Sequence, residues 1–142
     1  MSVLPELMKS VIVVVILLGV GGLLGCQRAF EPSELSGVYE VQYEYGVERL
    51  KLMPDGKYEQ LFGASGKPLE VINRGKWSVL RGDFWDGTLL VLHDPLVVDN
   101  AFGEMSKMRR STGVWQLRAR RTWTGTMYFV VNEDQGTFFR KL

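Results

Sequence analysis

Side chains able to do chemistry are sparse in this 142-residue chain, and they rarely fall at useful spacings. The single histidine, His93, precedes Asp94. A nucleophile or base needs its partner within hydrogen-bond reach. Neighbours on an extended strand point to opposite faces, so this adjacency builds no dyad. It reads as a strand end running into an Asp-Pro turn. Asp83, Asp86, His93 and Asp94 carry metal-ligating atoms close together in the chain. A metal site needs those atoms to converge, and the three aspartates sit where a turn needs a side chain that bonds its own backbone. The tripeptide Arg81-Gly82-Asp83 has the same turn reading. Glu40 and Glu44 share one strand face with Gln42 between them, a face expected to meet solvent. No glycine-rich phosphate loop joins a strand to a helix. The expectation is a non-enzymatic protein with no cofactor and no metal.

Charge says more. The formal net charge is +1, so no overall field favours nucleic acid. Residues 27–100 hold 8 basic against 12 acidic side chains, whereas residues 101–142 hold 8 basic against 3 acidic. Arg109, Arg110, Arg118, Arg120 and Arg121 dominate the second stretch. Such asymmetry suits a patch for a protein or an anionic surface. It equally suits neighbouring strands whose opposite charges pair across a sheet.

The elements that would position these groups are strands. Residues 38–45 place Tyr39, Val41, Tyr43 and Tyr45 on one face and Glu40, Gln42 and Glu44 on the other, the period of a half-buried strand. Residues 47–53 alternate again, with Leu50 and Leu52 opposite Arg49 and Lys51. Pro54-Asp55-Gly56 then supplies turn chemistry: proline presets φ and glycine takes the left-handed position. Residues 57–62 return as a strand. Further strands are expected at 69–72, 75–80, 88–93, 112–121, 123–131 and 137–142, with Trp77, Trp115 and Trp123 facing inward. Residues 99–111 read as an irregular connection. About eight strands with short links, and no amphipathic helix among them, predict an all-β domain at 36–142, an antiparallel meander closing into a small barrel. Closure removes the two edges that an open meander would expose.

Upstream lies a different kind of sequence. Residues 11–25, VIVVVILLGVGGLLG, carry no polar side chain. As a helix they would reach about 22 Å, short of the roughly 30 Å of a bilayer core. The run suits the apolar region of a signal peptide. Leu23-Leu24-Gly25-Cys26 resembles the bacterial lipobox, in which a small residue precedes the cysteine that receives diacylglycerol. Cys26 is the only cysteine in the chain. The resemblance implies a lipidated Cys26 and a partner that is the membrane itself. Gln27, in place of an aspartate, implies delivery to an outer membrane where the organism has one. The alternative is an uncleaved anchor, with residues 7–26 as a helix and Lys9 reaching the interface. Residues 26–35, with Pro32 among polar neighbours, read as a tether without a regular element.

A second resemblance concerns the domain. Ser36-Gly37-Val38-Tyr39 looks like the Gly-x-aromatic opening of lipocalin-type barrels. The stretches VERLKLMPDGKYEQLF and GKWSVL are similar to small bacterial lipocalin-like proteins. The domain departs from lipocalins in being short, in lacking their disulfide, and in having Tyr39 where tryptophan is usual. The resemblance implies a fold and, through its inward aromatics, a small apolar or amphipathic ligand or an envelope protein as partner. It implies no catalytic activity. The expected location is the bacterial cell envelope, with the domain outside the cytoplasm.

Overall fold

Alternation with a period of two does produce strands, and short turns fix their order. A computed structural model describes residues 29–82, 87–98, 108–110 and 113–142. Among the described residues a short helix, α1 (Pro32–Leu35), precedes ten strands: β1 (Gly37–Tyr43), β2 (Gly46–Leu52), β3 (Lys57–Ala64), β4 (Glu70–Arg81), β5 (Thr88–His93), β6 (Leu96–Val98), β7 (Met108–Arg110), β8 (Val114–Arg121), β9 (Met127–Asn132) and β10 (Thr137–Lys141). Eight of them form a closed antiparallel barrel in the order β1-β10-β9-β8-β5-β4-β3-β2, while β6 and β7 pair separately. The all-β closed barrel is therefore as the alternation predicts. The hydrophobic helix expected for residues 1–25 falls outside the described residues.

The inward faces make the core. Tyr39, Val41, Leu50, Leu52, Tyr58, Trp77, Leu90, Leu92, Leu117, Ala119, Met127, Phe129 and Phe139 are buried together with Leu35. The Pro54-Asp55-Gly56 turn forms with Gly56 at φ +81° and Asp55 Oδ1 accepting from Lys57 N at 3.1 Å. At one end of the barrel, here the helix end, α1 lies beside the start of β1. The tether reading is corrected on this point. Pro32 occupies the first turn of a helix rather than preventing one, because a first-turn residue has no intrahelical N–H bond to lose. Glu31 N donates to Glu34 Oε2 at 3.0 Å, closing that turn. Leu35 plugs the barrel end, and its carbonyl accepts from Tyr39 OH at 2.7 Å.

Three further expectations change. Residues 108–110, inside the stretch expected to be an irregular connection, form β7 and pair antiparallel with β6. Residues 69–72 and 75–80 are one long strand, β4. A register shift opposite Gln60 and Leu61 breaks its alternation and makes it read as two. Trp123 is not inward. It stands 98% exposed on the β8–β9 turn at the helix end. Thr122 N donates to Thr126 O and Gly125 N to Thr122 O, so the chain reverses there and the parity of β9 does not extend back to Trp123.

At the opposite end, here the polar end, β4 splays from β5. Their ladder covers only Trp77–Arg81 against Thr88–Leu92. The ring of Tyr58 crosses Gly75 there. A Cβ on Gly75 would lie 2.6 Å from the Tyr58 ring and 2.8 Å from the His93 carbonyl oxygen. Only glycine lets that ring pass.

Candidate functional site

The chemistry-bearing residues that the fold gathers are those at this polar end. β2 alternates inward through Glu48, Leu50 and Leu52, and β3 through Tyr58, Gln60 and Phe62. Glu48 and Gln60 are therefore carried into the barrel by the parity of their apolar neighbours, each with 1% of its surface exposed. Their polar atoms are satisfied by one another and by the chain that follows β5. Tyr43 OH donates to Glu48 Oε2 at 3.0 Å, and Gln60 Nε2 donates to Glu48 Oε1 at 2.5 Å. Gln60 also takes both main-chain groups of Leu96, donating to its oxygen at 2.6 Å and accepting from its nitrogen at 3.1 Å. Asn73 Nδ2 donates to Asp94 O at 3.0 Å and to Tyr58 OH at 3.2 Å, and Tyr58 OH donates to His93 O at 2.9 Å.

The physical logic is sealing. Where β4 leaves β5, main-chain groups of residues 93–96 lose their ladder partners, and a buried unpaired amide or carbonyl costs about 1–3 kcal/mol. The side chains of Gln60, Asn73 and Tyr58 stand in for the missing strand. Burial pushes the Glu48 carboxyl up to about 7, against the hydrogen bonds from Gln60 and Tyr43, which pull it down. The Tyr43 hydroxyl is raised well above the ordinary phenol range, first by burial and then by the Glu48 charge beside it. The cluster can hold a proton that exchanges near neutrality. Sequence reasoning misses this cluster, although the parity of Glu48 with Leu50 and Leu52 marks it.

Of the residues that the sequence singles out, His93 and Asp94 give this cluster only their carbonyl oxygens, and the others fall elsewhere. Cys26, Asp83 and Asp86 lie outside the described residues. Arg109 and Arg110 are in β7, opposite Val97 and Leu96, and their side chains also lie outside them. Arg118 and Arg120 point outward from β8. Arg118 pairs with Glu133 at 3.0 Å. Arg121 turns to the helix end, bonding Glu34 at 3.2 Å with its guanidinium 5.1 Å from the centre of the Phe30 ring. The described arginines thus occupy two faces. Glu40 pairs with Arg49, and Glu44 is exposed. His93 is exposed, with Nε2 3.4 Å from Ser78 Oγ, and no described carboxylate bonds its ring. Among the described residues, no group of three His, Cys, Asp or Glu side chains could hold a metal ion, and no helix is long and apolar enough to cross a membrane.

No protein-family model, curated protein or solved structure matches this chain.

Proposed function

We propose that this protein is a lipocalin-like, membrane-tethered barrel of a bacterial envelope, held through a lipidated Cys26 and acting by binding rather than by catalysis. The observation that carries the reading is the closeness of the anchor to the fold. Phe30 N donates to Thr88 Oγ1 at 2.9 Å, so the chain is docked on the barrel four residues after Cys26. Four peptide units reach at most about 14 Å. A lipid on Cys26 would hold the barrel against the bilayer surface. The two or three acyl chains of a bacterial lipoprotein make such attachment lasting, where one chain binds only marginally.

Binding in place of catalysis rests on the buried cluster. Glu48 has both oxygens occupied and almost no exposed surface, which suits a structural acid rather than a general acid or base. The interior side chains pack on one another, so a small apolar ligand would have to displace them. This favours an envelope protein or a surface as partner. Intact mass of the membrane-extracted protein tests the anchor. Loss of residues 1–25 with added acyl mass, abolished by Cys26→Ser, is the expected result. An unprocessed chain refutes lipidation and leaves the uncleaved helix.

A further inference from the structure

The helix end of the barrel carries a feature that neither the anchor nor the buried cluster uses. Trp123 is 98% exposed at the tip of the β8–β9 turn. The turn is not a loose loop. Thr122 Oγ1 accepts from Thr126 N at 3.0 Å and lies 2.8 Å from Thr124 Oγ1, in addition to the two main-chain bonds across it. A large aromatic ring is thus held out in water by a braced turn.

Its surroundings have a consistent chemistry. A groove of about 420 Å³ opens beside it, lined by Thr122, Thr124, Thr126, Tyr128, Phe138 and Arg140. Tyr128 and Phe138 meet edge to face at 5.5 Å between centroids. Register places Tyr128 between two cations on the outer wall, opposite Arg120 on β8 and Arg140 on β10. Tryptophan and tyrosine prefer the headgroup level of a bilayer, where an apolar ring and a polar tip are both accommodated. Basic side chains at that level are drawn to anionic lipid.

Position supplies the occupant. Phe30, where the tether docks, is bonded to Thr88 at the start of β5 and lies under Arg121, two residues before Trp123. The chain therefore leaves the barrel beside the Trp123 turn, and Cys26 is four residues further on. From this we infer that the Trp123 turn and the Tyr128–Phe138–Arg140 groove form a second membrane contact, which lies in the headgroup region of an anionic phospholipid bilayer. The inference rests on the membrane-tethered reading. It adds an orientation: helix end down, polar end toward the aqueous side.

The test uses the full chain reconstituted into phosphatidylglycerol-containing vesicles, with plain or brominated acyl chains. Bromine quenches only indole rings that reach the bilayer. The wild type should lose emission in brominated vesicles, and Trp123→Phe should lose less, the difference approaching the share of one tryptophan among four. In the Trp123→Phe background, Gln135→Trp, on the exposed β9–β10 turn at the polar end, should restore emission without restoring quenching. Equal quenching of wild type and Trp123→Phe, with both floating with the vesicles, overturns the orientation and leaves the tether standing. Quenching at position 135 overturns it as well. A chain that does not float refutes both.

Discussion

Replacing Glu48 by glutamine should make the protein more stable at pH 8 and should flatten its pH dependence. The folded state holds the Glu48 proton more tightly than the unfolded chain does, since burial raises the carboxyl from 4.5 to about 7. Its contribution is therefore fully present below pH 4.5 and is lost as pH rises through 7. At about 1.4 kcal/mol for each tenfold change in proton affinity, the full span is roughly 3 kcal/mol. Most of that, about 2–3 kcal/mol, falls between pH 5 and 8. Asp55 works in the opposite sense, because its bonds to Lys57 lower its carboxyl; that contribution disappears as pH falls through the acid range, outside this window. Glu48→Gln removes the titration and keeps the shape. The introduced amide can accept from Gln60 through its oxygen and donate to the Tyr43 oxygen through its nitrogen. Urea unfolding at pH 5, 6, 7 and 8 measures the effect. Wild-type stability should fall across the series, while the variant stays nearly level and exceeds the wild type at pH 8 by about 2 kcal/mol, roughly 6–10 °C in Tm. Parallel curves for the two proteins would refute the reasoning, because the pH dependence would then lie in another group.

Other substitutions test the same architecture. Gly75→Ala should destabilise by about 1–3 kcal/mol, because the new methyl meets the Tyr58 ring and the His93 carbonyl, and the carbonyl cannot move aside; denaturant midpoints report it. Gln60→Leu should cost about 2 kcal/mol or more by stranding both main-chain groups of Leu96. Hydrogen exchange should then show the Leu96 amide losing protection more than amides of β9. Tyr39→Phe removes the bond to the Leu35 carbonyl at the helix end and should cost about 1 kcal/mol, read as a lower Tm with an unchanged far-UV spectrum.

The barrel is legible because its signals are local. Strands β1 and β2 announce themselves by alternation, and Pro54-Asp55-Gly56 marks their neighbour's turn. The failures have physical reasons. Helix α1 is four residues long, too short for any period to appear. Trp123 shares parity with Met127 and Phe129, but parity is meaningful only while the chain stays extended, and Gly125 at φ +95° interrupts it. The buried cluster is hidden by residue type. Glutamate and glutamine on an inward face look like exceptions to a solvent pattern until the splay of β4 creates main-chain groups for them to satisfy. That splay depends on contacts between strands distant in the chain, which no window of sequence displays. The arginine-rich third is real as composition, yet alternation sends Arg118 and Arg120 outward and Arg121 to the helix end.

The closing seam bears on how such a chain is made. β1 meets β10 through Tyr39 opposite Lys141 and Glu40 opposite Arg140. Beside that ladder, Leu142 N donates to Val38 O, and Lys141 Nζ donates to the Glu34 carbonyl across 107 positions of sequence. Contacts of such long range form late, since the entropy of the whole intervening loop is lost before they are gained. A chain made from its N-terminus cannot seal until residues 137–142 have been added. Until then β1 remains an open edge, able to pair with the wrong strand. The last few residues therefore act as the zip of the barrel. Deleting them should leave an unclosed sheet with an open edge at β1, a species expected to aggregate rather than to unfold quietly.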